Sequence, residues 1–341
     1  MSSPDIWILY FFDFVTVFLW LPARQFLSSL MDLTIVIVSF QVHDCLERCL
    51  ESLLRARRSC SIEVIVVDNA STDNSVSIVR EKFPYVHLIA NQKNVGFAKA
   101  NNQGLQIARG RYWMLLNPDT EFPANSPDAL ELMLSFMDAH PLAGACGPSL
   151  FYRDGSRQHS AFRFPSLAQL YVDLFPVHWR LRESALNGRY APSMYERGLP
   201  FLIDHPLGAA LFVRAETARQ VGLLDEDYFI YAEEVDWCLR MKHAGWEIWC
   251  VPDAKIVHHE ARSTRQFREQ MFVELWKARF TLFRKHYSPL WNAAARRLVR
   301  AGMQRAERAA KLAAARGEIN PSELEKRLNA YHAVIVLSNN G

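Results

Sequence analysis

From Leu33 onward the chain alternates short unbroken apolar runs with longer segments of helical spacing. LTIVIVSF (33–40) and IEVIVVDNAS (62–71) begin as continuous runs of Val and Ile, the pattern of strands buried on both faces. VHLIAN (86–91) and the aromatic run Tyr112 to Leu116 predict two more strands. Between them, His43 to Arg57 spaces Leu46, Leu50, Leu53 and Leu54 as one helix face. Thr72 to Lys82 predicts a second helix ended by Pro84, and Phe97 to Arg109 a third closed by Gly110. Strands alternating with helices of this length predict βαβ units and a mostly parallel α/β sheet.

The second half is less regular. Ala129 to Ala139 predicts an amphipathic helix, and ACGPSLFYRDGSRQHS (145–160) a strand-turn-strand with Asp154-Gly155 at the turn. Residues 162–195 are rich in aromatics and Arg without a period, and the lone His159 and His205 read as structural or exposed. Trp246 to Val251 predicts a strand, Pro252-Asp253-Ala254 a break, and 255–264 a further extended segment. Beyond Arg265 the spacing of Phe272, Leu275, Trp276, Arg279, Phe280 and Phe283 is helical; Pro289 interrupts, and Trp291 to Arg316 resumes.

Two carboxylates stand where chemistry is done in such sheets. The strand 112–116 ends at Asn117-Pro118, so Asp119 is presented at its C-terminal edge, where ligands of open α/β sheets bind. Asp there can hold a hard divalent cation, or merely close a turn. Asp68 repeats the position one strand away and could equally cap a helix. A third acidic centre, DEDYFIYAEEVDWCLR (225–240), puts Glu233, Glu234 and Asp236 at a helix start. Carboxylates there complement the helix dipole, and they also suit a general base.

The run NVGFAKANNQGLQIARGRYWMLLNPDT (94–120) resembles the N-x-G-F-A-x-A-N-N-x-G…LNPDT signature of family 2 glycosyltransferases, in the bacterial rhamnosyl- and galactofuranosyltransferase-like subgroup. TIVIVSF and VIVVDNASTDNS match the nucleotide-binding half of that family, and the likeness runs from about Leu33 to Tyr287. It implies a GT-A fold and an inverting, metal-dependent glycosyltransferase using a nucleotide-diphosphate sugar. By the same resemblance Asp119 is the last position of the D-x-D element, whose first position here is Asn117. Asp68 is the nucleotide-contacting Asp, and Ser39, Asn94 and Asn102 are donor-side candidates. The E-D-x-D element falls on Glu233-Glu234-Val235-Asp236, with the base at Glu234 (Glu233 the alternative) and Asp236 orienting Arg240 or the helix start. The H-x-x-x-x-S pattern makes His258, with Ser263, the second metal ligand, His259 being the alternative. Mg2+ or Mn2+ suits that donor set. A dTDP- or UDP-sugar donor, with dTDP-rhamnose foremost, and a glycan or polyprenyl-linked acceptor in cell-envelope polysaccharide synthesis complete the expectation. The alternative is a nucleotide-sugar-binding protein without turnover. A dehydrogenase is disfavoured because no G-x-G-x-x-G follows the first strand, and a glycosidase needs no nucleotide-binding half.

Composition adds three points. Half the residues are hydrophobic and 22% charged, an ordinary globular balance. The six cysteines are scattered without a CxxC pair, as in reduced thiols of a cytosolic protein. Residues 262–316 carry 14 Lys/Arg against 3 Asp/Glu, leaving a balance of −8 elsewhere against the overall +3. This basic, mainly helical region (262–341) is read either as a solvated face or as a peripheral contact with the inner face of the cell membrane, and not as a nucleic-acid binder, since no such motif accompanies it. The catalytic domain is expected over 31–261. IWILYFFDFVTVFLWL (6–21) is short for a bilayer span and carries Asp13. Residues 1–30 are read as an interfacial anchor, a hydrophobic arm, or an extension upstream of a natural start at Met31.

Overall fold

The computed structural model describes residues 31–56, 60–126, 128–259 and 268–339. The readings of residues 1–30 and of Ser263 lie outside them. The first half is β1 (Leu33–Ser39), α1 (His43–Ala56), β2 (Ile62–Asp68), α2 (Ser75–Lys82), β3 (His87–Ala90), α3 (Phe97–Ile107), β4 (Tyr112–Leu116) and β5 (Thr120–Glu121). Then come α4 (Ala129–Ala139), β6 (Ala143–Phe151), β7 (Arg157–Gln158), β8 (Ala161–Phe162), α5 (Leu167–Leu174), β9 (Phe201–Leu202) and β10 (His205–Pro206). The rest is β11 (Ala210–Arg214), α6 (Ala215–Val221), α7 (Glu233–His243), β12 (Glu247–His258), α8 (Arg268–His286), α9 (Pro289–Ala315) and α10 (Pro321–Asn339).

The main sheet has the order β3-β2-β1-β4-β11-β6-β12-β5, with β7 on β6 and β9 on β12. β3, β2, β1 and β4 are parallel, β11 runs antiparallel between β4 and β6, and β12 is parallel to β6. β1 is buried along its whole length because both faces are covered. Leu33, Ile35 and Ile37 enter one core with α1 and α4, while Val36 and Val38 enter the other with α3 and α7. Full burial of each such side chain contributes about 1.5–3 kcal/mol. A third core joins Leu170, Tyr228 and Val235 to Trp276, Phe283, Val299 and Val334, fastening α8, α9 and α10 to the sheet's α7 side.

Three expectations need adjustment. The helix expected to run to Arg109 stops at Ile107, because the Arg109 N–H and guanidinium donate to Glu63 (2.6 and 2.8 Å) and Gly110 N–H donates to Thr34 Oγ1 (2.8 Å). A Cβ on Gly110 would lie 2.5 Å from Thr34 N, so the chain crosses there only as glycine. The break at Pro252-Asp253-Ala254 is a shift of register between Val251 and Lys255 within the single strand β12, as Pro in a sheet is accommodated at a bulge. Pro289 starts α9 at its first position behind the Ser288 cap, whose Oγ accepts from Trp291 N–H.

Candidate active site

A cavity of ≈ 440 Å³ opens at the C-terminal edge of β1, β2 and β4, within the roughly 300–1,000 Å³ of small-molecule sites. Its walls come from Val38 and Phe40 after β1, Asn69 after β2, Asn117-Pro118-Asp119 after β4, Leu207-Gly208-Ala209 before β11, and Phe229 to Glu234. Asn94, Gly96, Phe97, His258 and Met271 complete it.

Strand pairing brings Asp119 and His258 together. β5 pairs antiparallel with the end of β12, matching Thr120 to His258, and His259 N–H donates to Asp119 C=O (2.8 Å). His258 Nε2 then lies 3.4 Å from Asp119 Oδ1, both side chains being buried. On the other side of the ring, His258 Nδ1 is 2.9 Å from Gln158 Oε1. An amide oxygen only accepts, so Nδ1 donates to Gln158 and Nε2 faces Asp119. His259 instead meets Glu121 Oε2 at 3.1 Å and does not line the cavity. Among the described residues no three His, Cys, Asp or Glu side chains are grouped to hold a metal ion. One carboxylate oxygen and one imidazole nitrogen nevertheless fit a divalent cation whose other ligands are diphosphate and water oxygens.

Glu233 and Glu234 line the same cavity. The approach to α7 is backbone-strained: Tyr231 and Ala232 have φ of 71° and 65°, a left-handed region costing about 1–3 kcal/mol per non-glycine residue. The loop is held there from several sides. Phe229 C=O accepts from Phe97 N–H at 2.6 Å. Asn102, an expected donor-side residue, points away from the cavity and clamps the loop: its Nδ2 donates to Leu224 C=O (2.8 Å) and its Oδ1 accepts from Leu224 N–H (3.1 Å). Burial pushes the Glu233 carboxyl well above the ordinary carboxylate range, and the neighbouring Glu234 charge adds to it. Glu233 Oε2 is buried with no hydrogen-bond partner among the described residues. Burial also raises Glu234, against hydrogen bonds from its own and the Val235 N–H. Glu234 is half-buried over Gly208, where an added Cβ would come within 3.3 Å of its carboxyl carbon.

Asp236 faces away from the cavity. Its Oδ2 accepts from Arg240 Nε (2.8 Å), and His286 Nε2 lies 2.7 Å from its Oδ1. Burial would raise this carboxyl, but the His286 and Arg240 hydrogen bonds hold it below the usual range. Asp68 and Ser39 are paired register neighbours at the ends of β2 and β1, buried next to the lining residues Val38, Phe40 and Asn69. Asp68 Oδ2 accepts from Ser71 N–H (2.9 Å), whereas Asp68 Oδ1 and Ser39 Oγ have no partner among the described residues.

Sequence reading did not single out Asn69, Gln158, Gly208 or His286. Asn69 pins the loop ahead of α3, its Nδ2 donating to Asn94 Oδ1 (2.8 Å) and its Oδ1 accepting from Val95 N–H (2.9 Å). Its place directly after Asp68 was the available signal. Gln158 and His286 meet partners 100 and 50 residues away, which no local pattern reveals.

A family model for glycosyl transferase family 2 matches residues 34–204. Over 286 residues, 32% are identical to the N-acetylglucosaminyl-diphospho-decaprenol L-rhamnosyltransferase of Mycobacterium tuberculosis, covering 80% of this chain and 90% of that protein. The chain belongs to glycosyltransferase family 2. This glycosyltransferase is also 24% identical over 254 residues to the low-salt glycan biosynthesis hexosyltransferase Agl10 of Haloferax volcanii, covering 73% of the chain and 74% of that protein. A mannosyltransferase from Pyrobaculum calidifontis, solved in complex with GDP-Man and Mn2+, shares its fold with TM-score 0.54 and 20% identity, covering 90% of this chain and 86% of that one. The sheet and helices of the glycosyltransferase are thus of GT-A type.

Proposed function

We propose that the protein is an inverting, divalent-metal-dependent glycosyltransferase that moves a rhamnose-like sugar from a dTDP- or UDP-sugar to a lipid-linked glycan in cell-envelope polysaccharide synthesis. The observation that carries the reading is one cavity lined by Glu233, Glu234 and the Asp119–His258 pair. The rhamnosyl donor and lipid-linked acceptor follow from likeness to the mycobacterial rhamnosyltransferase.

In this reading the unpartnered Asp68 Oδ1 and Ser39 Oγ receive donor groups of the nucleoside. Asp119 and His258 hold a divalent cation, which when bound would offset charge on the diphosphate. Gln158 keeps the His258 proton on Nδ1 and so leaves Nε2 free to ligate. Glu233, the more deeply buried of the two glutamates, retains its proton, while the half-buried Glu234 ionises and serves as base. Its raised affinity for protons makes it a stronger base than an ordinary carboxylate. Glu234 takes the proton of the acceptor hydroxyl as that oxygen bonds to the anomeric carbon, and the bond from that carbon to the diphosphate oxygen breaks on the opposite face.

The test is transfer from a panel of nucleotide sugars with Mn2+, Mg2+ or EDTA. The expected result is metal-dependent release of one nucleoside diphosphate, abolished in Glu234→Gln with donor affinity retained. Full turnover in Glu234→Gln, or in EDTA, would overturn the assigned mechanism. Donor binding without turnover in the unmutated protein would favour the binding-only alternative.

A further inference from the structure

Among the described residues no helix is long and apolar enough to cross a membrane, yet one surface segment has the chemistry of a membrane–water boundary. Between α5 and the half-buried Arg189 the chain makes a single helical turn, Trp179–Arg182, followed by a 3-10 turn at Ala185–Asn187. Trp179 is 63% exposed, Leu181 39% and Leu186 50%, and Tyr171 on the adjoining α5 is 50% exposed. Exposed large apolar side chains this closely spaced mark an interaction surface rather than ordinary scatter.

Arg180 and Arg182 are interleaved with them, as are the acids Asp173 and Glu183. Arg180 and Arg182 are exposed and, among the described residues, neither is paired with a carboxylate; the Arg180 guanidinium lies 5.5 Å from the Trp179 ring centroid. The nearby acids are already engaged, Glu183 by His159 (2.8 Å) and Asp173 by Arg279 (3.3 Å). The patch continues onto α9. Gly302 packs so closely on Leu174 that an added Cβ would lie 2.8 Å from Leu174 Cβ. Arg305 donates to Leu174 C=O (3.1 Å) and stands 6.0 Å from the Phe175 ring centroid. Gly302 and Arg305 of α9 therefore pack on the end of α5, five residues ahead of Trp179 in the chain.

We infer that the segment from Tyr171 to Leu186 docks the protein on an anionic lipid surface. Trp179, Leu181 and Leu186 enter the headgroup boundary while Arg180, Arg182 and Arg305 meet the lipid phosphates. Unpaired cations beside an indole and two leucines complement a surface that is apolar beneath and negative above. The segment connects to the cavity wall: Arg163 N–H donates to Gly188 C=O (2.8 Å), and Leu207 N–H, from the loop lining the cavity, donates to Ser160 C=O (2.8 Å). Docking here would hold that wall near a lipid-linked acceptor, and in this respect the inference rests on the proposed function.

The experiment is co-sedimentation of the full chain with vesicles of phosphatidylcholine alone or of equal parts phosphatidylcholine and phosphatidylglycerol. The unmutated protein is expected to favour the anionic vesicles and to be released by salt. Arg180→Glu with Arg182→Glu should lower that partition by about twentyfold or more, from roughly fivefold per arginine near an anionic surface. Trp179→Ala with Leu181→Ser should lower it at least about tenfold, since each buried apolar group adds to interfacial binding. Both double variants should keep donor affinity and transfer to a water-soluble acceptor analogue. Unchanged partition of either variant would overturn the inference, whether the binding then comes from residues 6–21 or the patch serves a protein partner. Loss of donor binding in the unmutated protein would defeat the proposed function and leave the vesicle result standing.

Discussion

Gly96 offers a sharp test of how the loop at 94–96 and the approach to α7 are coupled. Its φ of 91° and ψ of 165° belong to a region open essentially to glycine. A Cβ there would lie 2.7 Å from Phe229 O and 2.8 Å from Phe229 Cδ2, against backbone as well as ring. Gly96→Ala must therefore strain its own backbone, at about 1–3 kcal/mol. It must also push Phe229 away and weaken the Phe97 N–H to Phe229 C=O bond, worth about 0.5–1.5 kcal/mol. Together these amount to roughly 2–4 kcal/mol, or a fall in Tm of about 3–8 °C for a domain of this size. Gly155→Ala is the control. It has a similar φ of 82°, but nothing lies within 4 Å of its added Cβ. It should cost only about 1–2 kcal/mol of left-handed strain. Because Phe229 leads directly into Tyr231, Ala232 and the two glutamates, its displacement should lower turnover by about a hundredfold, the scale of a 1 Å misplacement. Thermal unfolding and transfer assays on both variants decide the matter. If Gly96→Ala were no less stable than Gly155→Ala and transferred at the unmutated rate, the steric coupling would be refuted.

Other predictions follow from the buried charges. Asp236→Asn leaves Arg240 and His286 without their carboxylate and should cost about 3 kcal/mol in denaturant unfolding. Asp236 has its folded pKa below the ordinary 3.8, so its contribution is present above that value and lost as pH falls through the folded one. The variant's deficit should thus be largest near neutrality and shrink in acid. Glu233 behaves oppositely. Its folded pKa is raised above 4.5, so its contribution is complete below 4.5 and lost as pH rises through the folded value. Glu233→Gln should therefore be more stable than the unmutated protein at alkaline pH, with the advantage vanishing in acid. Transfer by the unmutated protein should rise with pH through a value above the ordinary carboxylate range, as Glu234 ionises. Gln158→Leu should weaken Mn2+ binding, measured by the free-ion spectrum in the presence of nucleoside diphosphate, by about 10–100-fold. Unchanged affinity would remove Gln158 from the proposed metal site.

The sequence alone determined the βαβ half of the fold. Continuous Val and Ile runs alternating with helices of this length predict a mostly parallel sheet covered on both faces, and Asn117-Pro118 forces a turn that leaves Asp119 at the sheet's edge. These are local consequences of side-chain period and backbone sterics. The acidic start of α7 was visible for the same reason. Tertiary structure decided which of these groups meet. Asn102, read as a donor-side residue within a recognisable motif, clamps Leu224 because its helix faces the loop before α7. His258 rather than His259 faces the cavity because its register against Thr120 puts alternate side chains on opposite faces of β12. The pairing of β7 on β6, and of β6 on β12, brings Gln158 to His258, and the packing of α8 brings His286 to Asp236. Such contacts depend on where distant segments pack, so they have no signature in the residues beside them. The raised proton affinity of the two glutamates has the same origin: acidity is a property of the solvent a carboxylate loses, and only the folded chain determines that.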